Sequence, residues 1–206
     1  MKLLAISPHP DDVEFGCGGT LAKFAKSGWK IHLLYMTCGE LGGNPKLRKK
    51  EAEHAASLLK ARIFWGGFSD TQIPLAKETN DRIETVIDEV SPNLILTPYH
   101  DDTHQDHRNT ARATVTATRY ARNVLAYEVP TSVHFNPTVF VDIGSMLKSK
   151  MALLRAHKSQ VYQTKVPDLS ILENARSTAV FRGIQYRVKY AEGFLPIRLG
   201  LDFQCS

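Results

Sequence analysis

The stretch Leu3-Leu4-Ala5-Ile6-Ser7-Pro8-His9-Pro10-Asp11-Asp12-Val13-Glu14-Phe15-Gly16-Cys17-Gly18-Gly19-Thr20 decides how this chain is read. It opens as an apolar run, passes through one imidazole and three carboxylates within six positions, and closes on small residues. The run reads as a buried strand over residues 2–7, because a strand covered on both faces is hydrophobic throughout rather than in alternation. Carboxylates crowded at a strand end repel one another unless a cation or hydrogen-bond donors hold them. A metal therefore explains the motif better than a solvated acidic turn does.

Outward from this stretch the chain alternates. Residues 18–26 read as a helix with Leu21, Phe24 and Ala25 at helical spacing, ending at Gly28. Residues 31–36 are a second apolar strand. Asn44 is placed to cap a helix that begins at Pro45 and buries Ala52, Ala55, Ala56 and Leu59. A third strand spans residues 62–65. Thr79 or Asn80 then caps a helix with Ile83, Val86, Ile87 and Val90 on one face, and residues 93–97 form a fourth strand. A polar loop over 98–108 leads into a helix reaching about Arg122. Four alternations with fully apolar strands imply a Rossmann-like, doubly wound α/β fold: a mostly parallel sheet, right-handed crossovers and helices on both faces. Further on, residues 125–129 and 139–142 read as strands, 144–157 as a helix, and 168–191 as a long helical stretch interrupted by Gly183. No repeat or composition shift divides the chain, which is read as a single domain over residues 1–206.

In a sheet of order 3-2-1-4-5, strands 1 and 4 are neighbours, and ligands bind at their carboxyl ends. The acidic stretch leaves strand 1. The loop Pro98-Tyr99-His100-Asp101-Asp102-Thr103-His104-Gln105-Asp106-His107-Arg108 leaves strand 4, so the two clusters are expected to face each other. His9 and Asp12 can reach one ion from a tight turn, and His107 completes a set of two imidazoles and one carboxylate. That set leaves coordination positions open, as catalytic zinc requires, and ferrous iron fits it too. Asp11 would crowd an ion already held by Asp12, which leaves it free to take a proton. Glu14 reads as a hydrogen-bond acceptor behind these residues or a carboxylate at a helix start. His32, His54, His134 and His157 read as structural or exposed, whereas His100 and Asp102 share the metal loop.

Composition narrows the rest. The net charge of +5 comes from dispersed residues, and the dense cluster Lys46-Leu47-Arg48-Lys49-Lys50 lacks interleaved aromatics, so it reads as a solvated face rather than a nucleic-acid site. Cations near a helix start oppose the macrodipole, a weak hint of an anionic substrate group. Three cysteines, Cys17, Cys38 and Cys205, are expected reduced, and none has zinc-knuckle spacing. No apolar run is long enough to span a membrane, and the start lacks the pattern of a signal peptide, so the expected compartment is the cytoplasm, with no membrane partner.

The stretch from Pro8 to Glu14 with its glycine-rich continuation, together with His104-Gln105-Asp106-His107-Arg108, resembles the LmbE/PIG-L-like family of metal-dependent de-N-acetylases. Thr37-Cys38-Gly39-Glu40, Arg48, Glu51, Asp70 and Tyr190-Ala191-Glu192-Gly193-Phe194 extend the resemblance over nearly the whole chain. It implies that His9, Asp12 and His107 bind zinc, that Asp11 is the general base, and that His104, oriented by Asp106, is the oxyanion stabiliser or general acid. It also implies Glu40, Arg48 and Asp70 near the sugar. The expected activity is release of acetate from an N-acetylglucosaminyl-type small molecule, with Zn2+ or Fe2+ as cofactor, either His104 or Asp11 protonating the leaving amine, and a homo-oligomer left open. Two other readings stand beside it: a non-haem ferrous oxygenase and a non-catalytic, metal-stabilised sugar-binding domain.

Overall fold

The strand β1 (Lys2–Ser7) lies inside a seven-stranded sheet. The computed structural model describes residues 1–200, so the expectation for Cys205 lies outside the described residues. β1 pairs in parallel with β2 (Lys30–Tyr35) on one side and β4 (Leu94–Pro98) on the other. β3 (Arg62–Trp65) continues the sheet beyond β2, and β5 (Val124–Tyr127) beyond β4, both in parallel. The expected order 3-2-1-4-5 is therefore present. It is extended by two antiparallel strands, β7 (Ala191–Arg198) and then β6 (Val139–Asp142) at the edge.

Alternation along β1 divides the core. Leu3 and Ala5 pack into the cluster that holds Val13, Leu21, Ala52, Leu59 and Leu153, whereas Leu4 and Ile6 pack with Ile83, Val86, Val90 and Ala113. The first layer belongs to α1 (Asp12–Lys26), α2 (Pro45–Leu59), α5 (Leu147–Ala156) and α6 (Ile171–Tyr186). The second belongs to α3 (Lys77–Val90) and α4 (Gln105–Ala117). Successive side chains of a strand point to opposite faces, so an all-apolar strand feeds both layers. Among the described residues no helix is long and apolar enough to cross a membrane.

Several boundaries differ from the sequence reading. α1 starts at Asp12 rather than residue 18, even though glycine weakens a helix, because packing needs its glycines: a Cβ on Gly16 would lie 2.2 Å from the Tyr127 ring, and one on Gly19 2.9 Å from Ile143. Thr79 lies inside α3 and donates to Pro74 O at 2.6 Å, and Ala76 takes the capping position. Asn44 caps α2 as expected, accepting from Lys46 N and Leu47 N. α4 stops at Ala117, short of Arg122. The long helix expected over 168–191 ends at Tyr186; Arg187, at φ 62°, turns the chain into β7, whose first four residues are buried. A run buried throughout carries no periodicity to separate strand from helix.

Candidate metal centre

β1 and β4 end side by side, and the chain turns sharply after β1. Ser7 Oγ donates to His9 O at 2.6 Å and Thr37 Oγ1 to Pro8 O at 3.0 Å, which fixes this turn. Asp12 follows in the first turn of α1, and His107 sits in the first turn of α4. His9 Nδ1 lies 3.2 Å from Asp12 Oδ2 and 3.3 Å from His107 Nε2, and the last two are 3.4 Å apart. Three donors each about 2.0–2.2 Å from a tetrahedral zinc stand roughly 3.3–3.5 Å from one another. The near-equilateral triangle therefore fits such an ion. It joins the three residues expected from the sequence.

The surrounding charge suits a cation as well. His9 Nε2 is bracketed by Asp70 Oδ1 at 3.0 Å and Asp106 Oδ2 at 3.2 Å, and His107 Nδ1 faces Asp102 Oδ2 at 3.2 Å. Burial alone would lower both imidazoles. Asp106, Asp12 and Asp70 overturn this for His9 and raise it well above its ordinary value, and Asp12 and Asp102 raise His107 to about 9. Burial likewise favours protonation of Asp12, yet His107 and His9 hold its carboxyl well below the usual range. Each imidazole thus spends one ring N–H on a buried carboxylate and turns its other nitrogen to the triangle, an arrangement that fixes the tautomer of a metal-ligating histidine. His9, His104 and Asp106 also bring donor atoms within 4.8 Å of one another. Because His9 Nε2 serves two carboxylates, the triangle at Nδ1 is the better-formed site.

Asp11 occupies the turn itself, at φ 102°, a backbone conformation that costs an L-residue about 1–3 kcal/mol. Arg48 supports it, donating from Nη2 to Pro10 O at 2.7 Å and to Asp11 Oδ2 at 3.3 Å, and from Nη1 to Gly39 O at 2.7 Å. Gly39 is required there: its φ is 66°, and a Cβ would lie 2.0 Å from Arg48 Nη1. Burial raises Asp11 to about 6 against the pull of Arg48, with Asp12 adding to the rise. Glu14, fully buried, accepts from Asp11 N at 3.1 Å and from the Tyr35 hydroxyl at 2.6 Å.

The structure relocates several expected contacts. Arg48 is 4% exposed and braces the Asp11 turn, so it does not join the solvated face formed by Lys46, Lys49 and Lys50. Asp70 is also buried. Its carboxylate divides between His9 and Leu41 N, and its own N–H donates to the half-buried Glu40 at 2.7 Å. The Asp106 carboxylate makes no hydrogen bond to the His104 ring. At the start of α4 it reaches back to the segment after β3, accepting from Thr71 N at 2.7 Å and Ile73 N at 3.2 Å. The Asp106 backbone N–H donates instead to His104 Nδ1 at 3.2 Å, as a helix cap. Burial, with His9 and His107, lowers His104, and because Nδ1 accepts this bond the N–H of the neutral ring sits on Nε2. The ring lies edge-on to His9 and stacks on His107, with centroids 4.8 and 4.9 Å away.

Two contributors escaped a clear role in the sequence. Asp102 backs His107, accepts from His104 N at 2.8 Å and from Ser132 Oγ at 3.1 Å, and its position in the histidine loop was its one signal. His157, read as structural or exposed, is buried beside Glu14, and nothing local marked it.

A family model described as PIG-L, GlcNAc-PI de-N-acetylase, matches residues 4–118. The chain is 30% identical over 228 residues to the diacetylchitobiose deacetylase of Thermococcus kodakarensis, with 95% of this chain and 83% of that protein covered. It is 26% identical to the 4-oxalmesaconate hydratase of Pseudomonas putida, covering 94% and 88%. Among solved structures, the conserved protein TT1542 from Thermus thermophilus superposes with a TM-score of 0.86 at 27% identity, covering 97% of each chain.

Proposed function

The chain belongs to the PIG-L family, and from that premise we propose that it removes the acetyl group from an N-acetylated amino sugar or its conjugate, in the cytoplasm, yielding acetate and a free amine. The observation that carries this reading is the triangle of His9 Nδ1, Asp12 Oδ2 and His107 Nε2, with Asp11 beside Asp12 and the His104 ring against both imidazoles. These three residues would hold the ion, with zinc the first choice for imidazole and carboxylate donors and ferrous iron the second. Bound there, zinc supplies Lewis-acid polarisation of the acetamide carbonyl and brings the ionisation of water toward neutral pH.

The protein's own groups supply the rest. Asp11 takes a proton from water as the water oxygen adds to the acetamide carbon and the carbonyl electron pair moves onto oxygen. The Nε2–H of neutral His104 donates to that oxygen; a donor of this kind typically accounts for about 2.7–4 kcal/mol of barrier. The C–N bond then breaks as the nitrogen takes a proton. We assign its return to Asp11, which already holds it, because a neutral His104 keeps its single N–H for the oxygen. Asp70, Asp102 and Asp106 act behind the imidazoles, and half-buried Glu40 is the most accessible of the expected sugar contacts Glu40, Arg48 and Asp70.

The hydratase relative motivates one rival, addition of water to a carbon–carbon double bond, which forms neither acetate nor amine. The test incubates zinc-loaded protein with N,N'-diacetylchitobiose and a panel of N-acetylglucosaminyl conjugates, measuring acetate and free amine. Equimolar release, abolished by a chelator, is expected. Absence of amine across the panel overturns the proposal, and oxygen uptake by iron-loaded protein would favour an oxygenase.

A further inference from the structure

Behind Asp11 lies a buried pair that no step above uses. His157, directly after α5, is 1% exposed, and Glu14 is 0% exposed. His157 Nε2 stands 3.3 Å from Glu14 Oε1, and neither ring nitrogen completes a hydrogen bond. The same Glu14 oxygen accepts from the Tyr35 hydroxyl, and the other accepts from the Asp11 N–H. Glu14 is thus a bridge, with an imidazole and a phenol on its core side and the backbone of Asp11 on its site side.

A carboxylate this deeply buried needs positive charge or donors to offset the loss of water. Burial alone lowers His157, but the Glu14 carboxylate 3.3 Å away reverses the shift. The Asp11 backbone, at φ 102°, persists only where its surroundings over-determine it. Two holds meet on it: Arg48 grips Pro10 O and the Asp11 carboxylate, and Glu14 grips the Asp11 N–H.

Both holds lead back to α2. Arg48 acts directly. One turn later, Glu51 accepts from Ser159 N at 2.8 Å and Ser159 Oγ at 2.6 Å, and so fixes the 3₁₀ turn Lys158–Gln160 that follows His157. Residues three apart on a helix share a face, so a single helix anchors the Asp11 turn from two directions. The second direction runs through His157 and Glu14.

We propose that His157 is a positioning residue which, acting through Glu14, holds the strained backbone of Asp11 and thereby aims its carboxylate. The catalytic consequence rests on Asp11 being the base of the proposed hydrolysis; the positioning itself does not. A histidine that merely fills the core would, on substitution, lower global stability without acting selectively on Asp11.

The test uses the full chain, zinc-loaded, as His157→Gln, Tyr35→Phe, Glu14→Gln and the double variant Glu14→Gln/His157→Gln. Exchange of the Asp11 amide is followed by NMR against that of Leu33, in the middle of β2, alongside zinc content and amine release from N,N'-diacetylchitobiose. In His157→Gln and Tyr35→Phe the Asp11 amide is expected to exchange at least about tenfold faster relative to Leu33. Zinc content should be unchanged, and kcat should fall about tenfold or more with KM held within about twofold. The double variant should be no slower than Glu14→Gln alone, because both changes break one chain of contacts. Unchanged Asp11 exchange, or losses that multiply in the double variant, overturns the proposal. Tyr35→Phe, which removes one hydroxyl, decides the matter should His157→Gln fail to fold. If wild-type protein releases no amine while the Asp11 amide still responds, positioning stands and the hydrolase reading falls.

Discussion

Asp11, Asp12 and Glu14 lie within one turn of chain, yet each carboxylate meets a different environment. Asp12 faces two imidazoles, Asp11 faces Arg48, and Glu14 turns into the core toward Tyr35 and His157. Side chains around a helix start fan out, so neighbours in sequence are delivered to different partners. Their substitutions should separate accordingly. Asp11→Ala is expected to keep its zinc and lose about 10²–10⁴ in kcat, whereas His107→Ala should lose the metal itself, as zinc content after dialysis would report. Retention of full turnover by Asp11→Ala would remove Asp11 from the mechanism. Asp102, buried against His107 Nδ1, holds that ring from the side away from the triangle. Asp102→Asn is expected to weaken zinc affinity about 10–100-fold in a competition titration with a chelating dye. An unchanged affinity would show that the Thr131 hydroxyl, 3.4 Å from His107 Nδ1, orients the ring without it.

The glycine-rich α1 is held open to its neighbours at the level of elements. Midway along it, Gly19 N and Thr20 N donate to the Glu192 carboxylate of β7 at 2.9 and 2.7 Å, and Glu192 pairs with Lys150 of α5 at 2.5 Å, both 3% exposed. Lys150 also donates to Phe15 O. The Tyr190–Phe194 segment therefore ties the antiparallel end of the sheet to the helix that starts at the candidate metal centre, which gives Glu192 a structural role. Removing one partner of a buried ion pair strands the other, so Glu192→Ala is expected to cost about 3–5 kcal/mol in urea unfolding. A cost below about 1 kcal/mol, the range of an exposed pair, would contradict it.

Across the whole molecule, Asp12, Asp70, Asp102 and Asp106 converge on two imidazoles where β1 and β4 end. An ion bound there stabilises the folded chain by mass action, about 2.7 kcal/mol at a free concentration one hundred times Kd. For a domain of this size that corresponds to roughly 5–10 °C in Tm. Chelation is expected to lower Tm by that amount, and readdition of zinc to restore it. A Tm indifferent to chelator would argue against tight binding at the triangle.

Much was set by local sequence. Apolar runs long enough for strands but too short for helices, spaced by helical patterns, specify a parallel doubly wound sheet, and the order 3-2-1-4-5 that it adopts brings His9, Asp12 and His107 to adjacent strand ends. Chirality and connection rules act on the chain locally, so a linear reading reaches them. What the tertiary structure decided concerns groups whose partners lie far away in sequence: Arg48 turned inward onto Pro10 and Asp11, Asp106 spent on Thr71 and Ile73, β7 formed from a run that lacks periodicity, and His157 set against Glu14. A buried polar group goes where a donor or acceptor is left unpaired, and only the folded chain determines where that is.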